Sequence, residues 1–306
     1  MQTNEMKKRS ENRKMFIALL RSLFSNEHIK YKAQDARKLA DFMASTVAAT
    51  PGLEENEFGL NRVVLALQTI QLAIEEIGLR GHALTAYLLR SVVTQPEQSE
   101  VVERFFGKDI AQILRGFMKV EAIEVKTEAM STDNFRNLLI SQAADMRIIL
   151  LLIADSVCLM RQIRDTDNLE AQHKVSVEAA NLYAPLAHKL GLYKLKSELE
   201  DLSLKYLEHD AYYSIKESLN ATKRSRDAYI ERFTEPIRKM LDGAGLRYHM
   251  KGRTKSIHSI WQKMKKQQCG FNGVYDLFAI RIILDVPEQK EKEQCWQVFS
   301  LITNKI

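Results

Sequence analysis

The 306-residue sequence has few of the residues that organise turn-rich or disulfide-bonded proteins. Only 12 glycines and 5 prolines are present, which disfavours an all-β protein built on many tight turns. Cys158, Cys269 and Cys295 are too scattered to predict a disulfide framework or a CxxC metal site. The longest uninterrupted apolar run, 148–154, is far shorter than the ~18 residues that a membrane span needs. The charged N-terminus does not resemble a secretory signal, so we expect a cytoplasmic protein without a membrane partner.

Acidic residues are missing from one segment of the chain. The net charge is +6, yet residues 243–275 contain no Asp or Glu and hold seven of the basic side chains: Arg247, Lys251, Arg253, Lys255, Lys263, Lys265 and Lys266. The rest of the sequence is therefore close to neutral. Such a concentrated patch indicates a polyanionic partner, such as nucleotide phosphates, nucleic acid or acidic lipid. A solvated basic face without a ligand is the alternative on charge alone.

The hydrophobic pattern changes its period once along the chain. Apolar residues at i, i+3, i+4 and i+7 predict helices across most of the first 240 residues, beginning with 15–24. The helix predicted over 147–161 is apolar almost all round in its first half, which is typical of a buried central helix. After residue 243, alternation over 246–251 and a β-branched run over 278–284 predict two strands, each followed by a helix.

These patterns predict a mainly α protein with a C-terminal α/β part. We expect an all-helical domain over 1–195, a helical connector over 196–242 and the start of a second, α/β domain over 243–306. Because one and a half βα units cannot bury a complete sheet, the sequence is expected to be a piece of a longer protein.

Several side chains in the basic segment are spaced to meet an anion. Arg253 and Lys255 are predicted in the turn between the first strand and the following helix, and Ser259 and Lys263 on one face of that helix. A helix N-terminus also presents backbone N–H groups to anions, so this arrangement suits a di- or triphosphate. The sequence contains neither a P-loop nor a GxGxxG motif.

Asp276 is the one acid close to this patch, at the start of the second predicted strand. A lone carboxylate facing a phosphate site is suited to binding Mg²⁺, and Mg²⁺ together with Lys or Arg is the apparatus of phosphoryl transfer. The alternative is that Asp276 simply pairs with Arg281 or with a lysine. Spacing alone does not decide between the two.

Four segments of the sequence, 184–191, 196–203, 252–264 and 274–283, closely resemble the RelA/SpoT homologues, the enzymes of the stringent response. Residues 252–264 (GRTKSIHSIWQKM) and 274–283 (VYDLFAIRII) resemble the start of the family's nucleotidyltransferase-like synthetase domain. Residues 184–191 (APLAHKLG) and 196–203 (KSELEDLS) resemble its linker between hydrolase and synthetase domains. The motifs follow one another in the family's order.

The resemblance implies a GTP pyrophosphokinase, which moves pyrophosphate from ATP to the 3′-hydroxyl of GDP or GTP and so makes (p)ppGpp. Arg253 and Lys255 would hold ATP phosphates, Ser259 and Lys263 would contact the nucleotide, and Asp276 would bind Mg²⁺ and help activate the attacking hydroxyl. The family's second carboxylate and its guanine-stacking tyrosine would follow residue 306, so this chain alone is expected to be inactive. Any ribosome-contacting domain would also follow, and no oligomeric state is predicted.

The resemblance also implies an all-helical HD hydrolase domain in the first half, one that has lost its Mn²⁺ site. The expected His-Asp pair reads Arg90-Ser91, the acidic pair after it reads Thr-Gln at 94–95, and the first histidine falls near Ala66. Asp155 is the sole remnant of the metal ligands. One carboxylate cannot hold a catalytic divalent ion, so we expect no Mn²⁺ and a regulatory role for this domain.

Two other functions stay open at this point. The first is a non-catalytic nucleotide- or RNA-binding regulator whose basic segment serves only for binding. The second is an HD phosphohydrolase with an unusual metal site, in which His82 replaces a lost ligand. Asp155 itself is expected to be hydrogen-bonded in the core or to Arg161.

Overall fold

The computed structural model describes residues 33–50, 55–123, 132–143 and 145–303. The helix predicted over 15–24 lies outside these residues. The chain divides into two compact units, one ending at Leu207 and the other beginning at Glu208. The fold class predicted from the sequence, mainly α with a C-terminal α/β part, is confirmed.

The described part of the first unit consists of helices. They are α1 (Ala33–Ala49), α2 (Arg62–Leu72), α3 (His82–Arg90), α4 (Gln98–Phe106), α5 (Lys108–Glu121), α6 (Asp133–Gln142), α7 (Met146–Gln162), α8 (Leu169–Glu178), α9 (Ala184–Lys189) and α10 (Tyr193–Leu207). Short π-helical segments, Ala73–Ile77 and Ala179–Tyr183, extend α2 and α8. The first extension ends at Gly78, whose left-handed backbone (φ 77°) favours glycine and stops the helix.

Helix α7 is the buried centre of the first unit. Asp145 caps its N-terminus by accepting a hydrogen bond from the backbone N–H of Arg147 at 2.9 Å. Ile148, Ile149 and Leu151 are almost completely buried, and α2 and α10 pack against the helix. The prediction of a central helix in this segment is therefore confirmed.

The second unit begins with two helices, α11 (His209–Ala221) and α12 (Lys223–Gly243). Strand β1 (Tyr248–Thr254), helix α13 (Ile257–Gln267), strand β2 (Phe278–Leu284) and helix α14 (Glu291–Thr303) follow. Leu195 and Leu199 of α10 belong to the core of the first unit, whereas Ile215 of α11 and Ile237 of α12 belong to clusters of the second. The three-part division at 195 and 242 stays a prediction.

Strands β1 and β2 pair antiparallel, from Tyr248 opposite Leu284 to Thr254 opposite Phe278. One face of this sheet packs its alternate side chains, including Met250 and Ile282, in a cluster with residues of α12 and α14. The other face is exposed. One face of the sheet is therefore exposed, and on β1 it carries side chains of the basic segment.

Strand β1 continues beyond the predicted 246–251, so the prediction that Arg253 lies in the turn was wrong. Arg253 is paired with Ala279 inside the ladder, and the backbone N–H of Lys255 donates to Leu277 O at 2.9 Å. The sequence pattern stops early because no apolar residue follows Met250 on β1. The partner strand supplies the hydrogen bonds that hold this polar end extended.

Candidate functional site

Three of the predicted site residues meet at one carboxylate oxygen. The Lys255 Nζ lies 2.8 Å from Asp276 Oδ2, and the Lys263 ammonium contacts the same oxygen. Hydrogen bonds from Lys255 and from Lys263 lower the pKa of Asp276 to about 2, and the bond to Asp276 raises the pKa of Lys263. Because the Asp276 side chain is 52% exposed, this cluster of two cations and one anion is open to ligands.

Helix α13 places Lys263 in this cluster. Its N-cap is Ser256, whose hydroxyl accepts a hydrogen bond from the Ser259 backbone N–H at 3.3 Å. Its apolar side holds Ile260, which is fully buried in a small cluster that includes Trp261. Burial of that side directs the opposite, polar side of the helix toward Asp276.

The remaining predicted residues lie close by in the chain but make other contacts. The hydroxyl of Ser259 is 2.7 Å from that of Ser256, so it takes part in the helix cap. Arg253 lies on the exposed face of β1, two residues before Lys255. Asp276 pairs with two lysines and not with Arg281, so of the two pairings considered the lysine one is found. The ligand-binding roles of these residues stay predictions.

The exposed sheet face carries a row of basic side chains that extends from Lys255. His249, Lys251 and Arg253 alternate along β1 on this face, and Lys251 lies directly opposite Arg281 of β2. Neither strand contains an acidic residue. Like charges placed directly opposite each other destabilise a sheet, so a bound anion would relieve a real repulsion.

Arg281 was not predicted as a member of this site because cross-strand register cannot be seen in the sequence. A signal was nevertheless available, since both predicted strands place a cation at the polar position of an alternating pattern and neither contains an acid.

A single ionised carboxylate among cations can bind Mg²⁺ only if other groups, such as the phosphates of a substrate, supply the remaining ligands. Mg²⁺ is usually bound through one or two carboxylates together with substrate phosphates and water, and Asp276 can supply such a carboxylate. Among the described residues there is no group of three or more His, Cys, Asp or Glu placed to hold a metal ion by themselves. The site can therefore bind phosphates through its lysines and a cation jointly through Asp276 and the phosphates.

In the first unit, the position expected for metal ligands contains an arginine. The Arg90 guanidinium bonds to Glu121 through Nε, and its Nη1 lies 3.3 Å from Asp155 Oδ2. Of the two expectations for Asp155, a hydrogen bond in the core or to Arg161, the second is wrong, because Arg161 binds Glu198 at 2.6 and 2.9 Å. Glu121 was not predicted, since it lies 31 residues from Arg90 on a separate helix.

The neighbouring positions do not supply further ligands for a metal. Ala66 is buried in α2, and the buried Ser91 donates its hydroxyl to Leu88 O at 2.7 Å. His82 begins α3 on the surface, where its Nδ1 lies 3.6 Å from a carboxylate oxygen of Asp109. A guanidinium between two carboxylates does not fit a Mn²⁺ ion, because it places a positive charge on the ligands that the ion would need.

Burial and charge explain how this arginine is tolerated. Although burial disfavours the charged form, the carboxylates of Glu121 and Asp155 raise the pKa of Arg90. Burial, together with the negative charge of Asp155, raises the pKa of the adjacent Tyr87. Both groups therefore keep their protons at every physiological pH.

Within the described part of the chain, every helix is too short or too polar to cross a membrane.

Comparison with known proteins matches two regions of the chain. Residues 46–193 match the HD domain family, and residues 252–306 match the family described as the region found in RelA / SpoT proteins. A GTP pyrophosphokinase of Myxococcus xanthus is 32% identical over 217 residues, which are 70% of this chain and 28% of that protein. The bifunctional (p)ppGpp synthase/hydrolase SpoT of Escherichia coli K12 is 30% identical over 228 residues, 74% of this chain and 32% of that protein.

A third relative is named for hydrolysis alone. The guanosine-3′,5′-bis(diphosphate) 3′-pyrophosphohydrolase of Aquifex aeolicus is 30% identical over 237 residues, 76% of this chain and 33% of that protein. The chain thus spans about a third of the length of these relatives, whose names include both synthesis and hydrolysis. With an HD region in its first unit and a RelA/SpoT region in its second, the chain belongs to the RelA/SpoT family.

Proposed function

We propose that the protein carrying this chain is a (p)ppGpp synthetase that transfers pyrophosphate from ATP to the 3′-hydroxyl of GDP or GTP. The observation that carries this proposal is Asp276 held between Lys255, which precedes α13, and Lys263 of α13. Lysines and a carboxylate at one exposed point provide a place for phosphates and for the cation that accompanies them.

Each residue of the cluster has a defined task in this proposal. Lys255 and Lys263 leave Asp276 and bind phosphate oxygens of ATP, while Arg253 binds a further phosphate at the end of the sheet face. Asp276 would hold Mg²⁺ and help activate the attacking 3′-hydroxyl. When bound, Mg²⁺ neutralises the charge that the phosphates carry during transfer.

The first unit has a regulatory role in this proposal and holds no Mn²⁺. Its support is the ion pair of Arg90 with Glu121 and Asp155, which occupies the carboxylates available near the expected metal position. ATP and GDP or GTP are the proposed partners, and the cytoplasmic location stays a prediction. An HD phosphohydrolase that uses His82 is disfavoured, because His82 is on the surface beside Asp109.

The competing function is a regulator that only binds nucleotide or RNA. Asp276 argues against it, since a negative charge between two lysines weakens the binding of a phosphate unless a cation is shared. A binding-only protein would therefore bind better without this carboxylate. A synthetase needs the carboxylate for Mg²⁺.

Calorimetric titration of this chain with ATP, with and without Mg²⁺, separates the two functions. Lys255→Ala and Lys263→Ala should each weaken binding about ten- to a hundredfold, because a charge-assisted hydrogen bond contributes roughly 1.5–3 kcal/mol. Lys265→Ala is the matched control on the same helix, since Lys265 lies over Trp261, 3.9 Å from the ring centroid, and should have little effect.

Asp276→Asn gives the sharper test in the same titration. We expect it to strengthen ATP binding when Mg²⁺ is absent and to abolish the gain in affinity that Mg²⁺ gives the wild-type chain. If Asp276→Asn binds ATP more tightly in both conditions, or if Mg²⁺ does not affect the wild-type chain, the binding-only function is the better account.

A further inference from the structure

We propose that the guanidinium of Arg90 is a fixed internal cation of the first unit, bridging Glu121 and Asp155 at the place where the family resemblance leads one to expect a metal ion. This inference rests on the part of the proposed function that assigns no Mn²⁺ to this unit. It adds a structural role for Arg90 and a second carboxylate, Glu121, that the family comparison does not supply.

The bridge joins three helices that are far apart in the sequence. Arg90 ends α3, Glu121 ends α5 and Asp155 lies in the middle of α7. The sequence separations are 31 and 65 residues, so these contacts are tertiary and cannot arise from local helix geometry. One guanidinium therefore links α3, α5 and the buried centre of the domain.

Two aromatic rings complete the surroundings of the guanidinium. The Arg90 Cζ lies 5.3 Å from the ring centroid of Tyr87 and 5.8 Å from that of Phe117. Tyr87 precedes Arg90 by three residues on α3, and Phe117 precedes Glu121 by four on α5, so each helix contributes two side chains from one face. Both rings are almost completely buried and pack edge to face at 5.5 Å.

The charges of this cluster balance without a metal. Arg62, at the start of α2, is a second guanidinium near this cluster. Burial and the positive charge of Arg90 lower the pKa of Arg62, whereas the negative charges of Glu121 and Asp155 act in the opposite direction. Two guanidiniums thus accompany two carboxylates. A divalent cation added to this group would have no free negative charge to neutralise, whereas loss of Arg90 would leave the carboxylates under-compensated in a half-buried place.

Arginine is well suited to these neighbours. Its planar guanidinium offers several N–H groups to two carboxylates and its faces to aromatic rings, and it sheds water more readily than an ammonium. It is also attached covalently, so its occupancy does not depend on the concentration of an ion or on a chelator. The fold of this unit is accordingly independent of metal supply.

Thermal unfolding of the full chain tests the bridge. Arg90→Ala should lower the Tm of the first unit by roughly 10 °C, since it leaves the partly buried carboxylates of Asp155 and Glu121 without their cation. Arg161→Ala is the matched control, because Arg161 also makes a bidentate pair but is 44% exposed, against 24% for Arg90. Its Tm should fall by a few degrees at most.

Chemical rescue distinguishes a lost cation from lost packing. Ethylguanidinium at millimolar concentration should raise the Tm of Arg90→Ala but not that of the wild-type chain. It should have no effect on the triple variant Arg90→Ala, Glu121→Gln, Asp155→Asn, whose Tm should exceed that of Arg90→Ala. If Arg90→Ala does not fold, Arg90→Lys is the second variant. It keeps the positive charge but lacks the planar guanidinium with its several N–H donors, so it should fold with a lower Tm than the wild-type chain.

Three results would overturn the inference, in two distinguishable ways. An unchanged Tm in Arg90→Ala, or equal rescue of the triple variant, would remove the bridging role and leave the metal-free assignment standing. Electron paramagnetic resonance of Mn²⁺ with the Asp276→Asn chain, which lacks the other carboxylate site, should show only free ion. One bound Mn²⁺ per chain would remove both the inference and the metal-free assignment.

Discussion

At the scale of single residues, each unit contains a cluster of three charged side chains, and the signs of the charges are reversed between the two clusters. In the first unit one cation, Arg90, lies between two carboxylates, and in the second one carboxylate, Asp276, lies between two ammoniums. The carboxylates also differ in exposure to solvent, since Asp155 is 20% exposed and Asp276 is 52% exposed. The exposed cluster can exchange its internal pairs for phosphates in water, whereas the half-buried cluster keeps its pairs.

The pKa of Asp276 gives a residue-scale prediction. Because the folded pKa is depressed to about 2, the ion pairs are complete above the ordinary aspartate pKa of ~3.9 and are lost as the pH falls toward 2. The raised pKa of Lys263 keeps its pair intact below the ordinary lysine value of ~10.4. Protonation of Asp276 should therefore cause no change in ATP affinity between about pH 5 and 8.

Carbon NMR of the Asp276 carboxyl group measures this directly. The titration midpoint should lie near 2 in the wild-type chain and should move toward about 3.9 in Lys263→Ala. A wild-type midpoint close to the ordinary value would mean that the lysines do not hold the carboxylate.

Residue-scale prediction from the sequence succeeded where a group acts through neighbours close in the chain and failed where its partner is distant. Spacing alone placed Ser259 and Lys263 on one face of a helix and Lys255 just before that helix. For Asp155 the sequence left two possibilities, a hydrogen bond in the core or to Arg161, and did not point to Arg90, because hydrophobic periodicity carries no information about which distant helix lies opposite.

At the scale of elements, strand β2 matched its predicted bounds, 278–284, and strand β1 did not. Strand β2 alternates apolar side chains along its whole length, so its period is visible. The last residues of β1 are Gly252, Arg253 and Thr254, which are held extended by pairing with β2 and not by their own pattern. The strand extension moves Arg253 from a turn to a sheet face, which changes its expected geometry toward a ligand.

The cationic sheet face gives an element-scale prediction. Arg281→Ala should raise the stability of the second unit by a few tenths of a kcal/mol, because it removes a like charge directly opposite Lys251. The same substitution should weaken ATP binding and reduce its dependence on salt, if the face extends the phosphate site. Denaturant unfolding and salt-dependent titration measure the two effects.

Lys266→Ala is the control for that experiment, since Lys266 lies in the last turn of α13 and not on the sheet. It should change neither stability nor affinity appreciably. A loss of stability in Arg281→Ala together with unchanged ATP affinity would assign Arg281 a structural role and exclude the sheet face from the site.

At the scale of the whole molecule, the chain combines two units of different composition. The HD region contains a large, closely packed helical core around α7, and the RelA/SpoT region contains the cluster of Lys255, Lys263 and Asp276. The sequence predicted this fold class because the change from helical to alternating periodicity is strong. It could not predict the charge bridge of the first unit, which depends on how three distant helices meet.

The proposed function requires the second unit to transfer pyrophosphate with Asp276 as the metal-binding carboxylate. The decisive experiment measures ppGpp formation from ATP and GDP in a protein that carries this chain at the full length of its relatives. We expect product from the wild-type protein and from Lys265→Ala, and a loss of at least about a hundredfold in Asp276→Asn, because charge neutralisation of the triphosphate is the main catalytic contribution. Near-normal synthesis by Asp276→Asn, or ATP binding without any pyrophosphate transfer, would contradict the account.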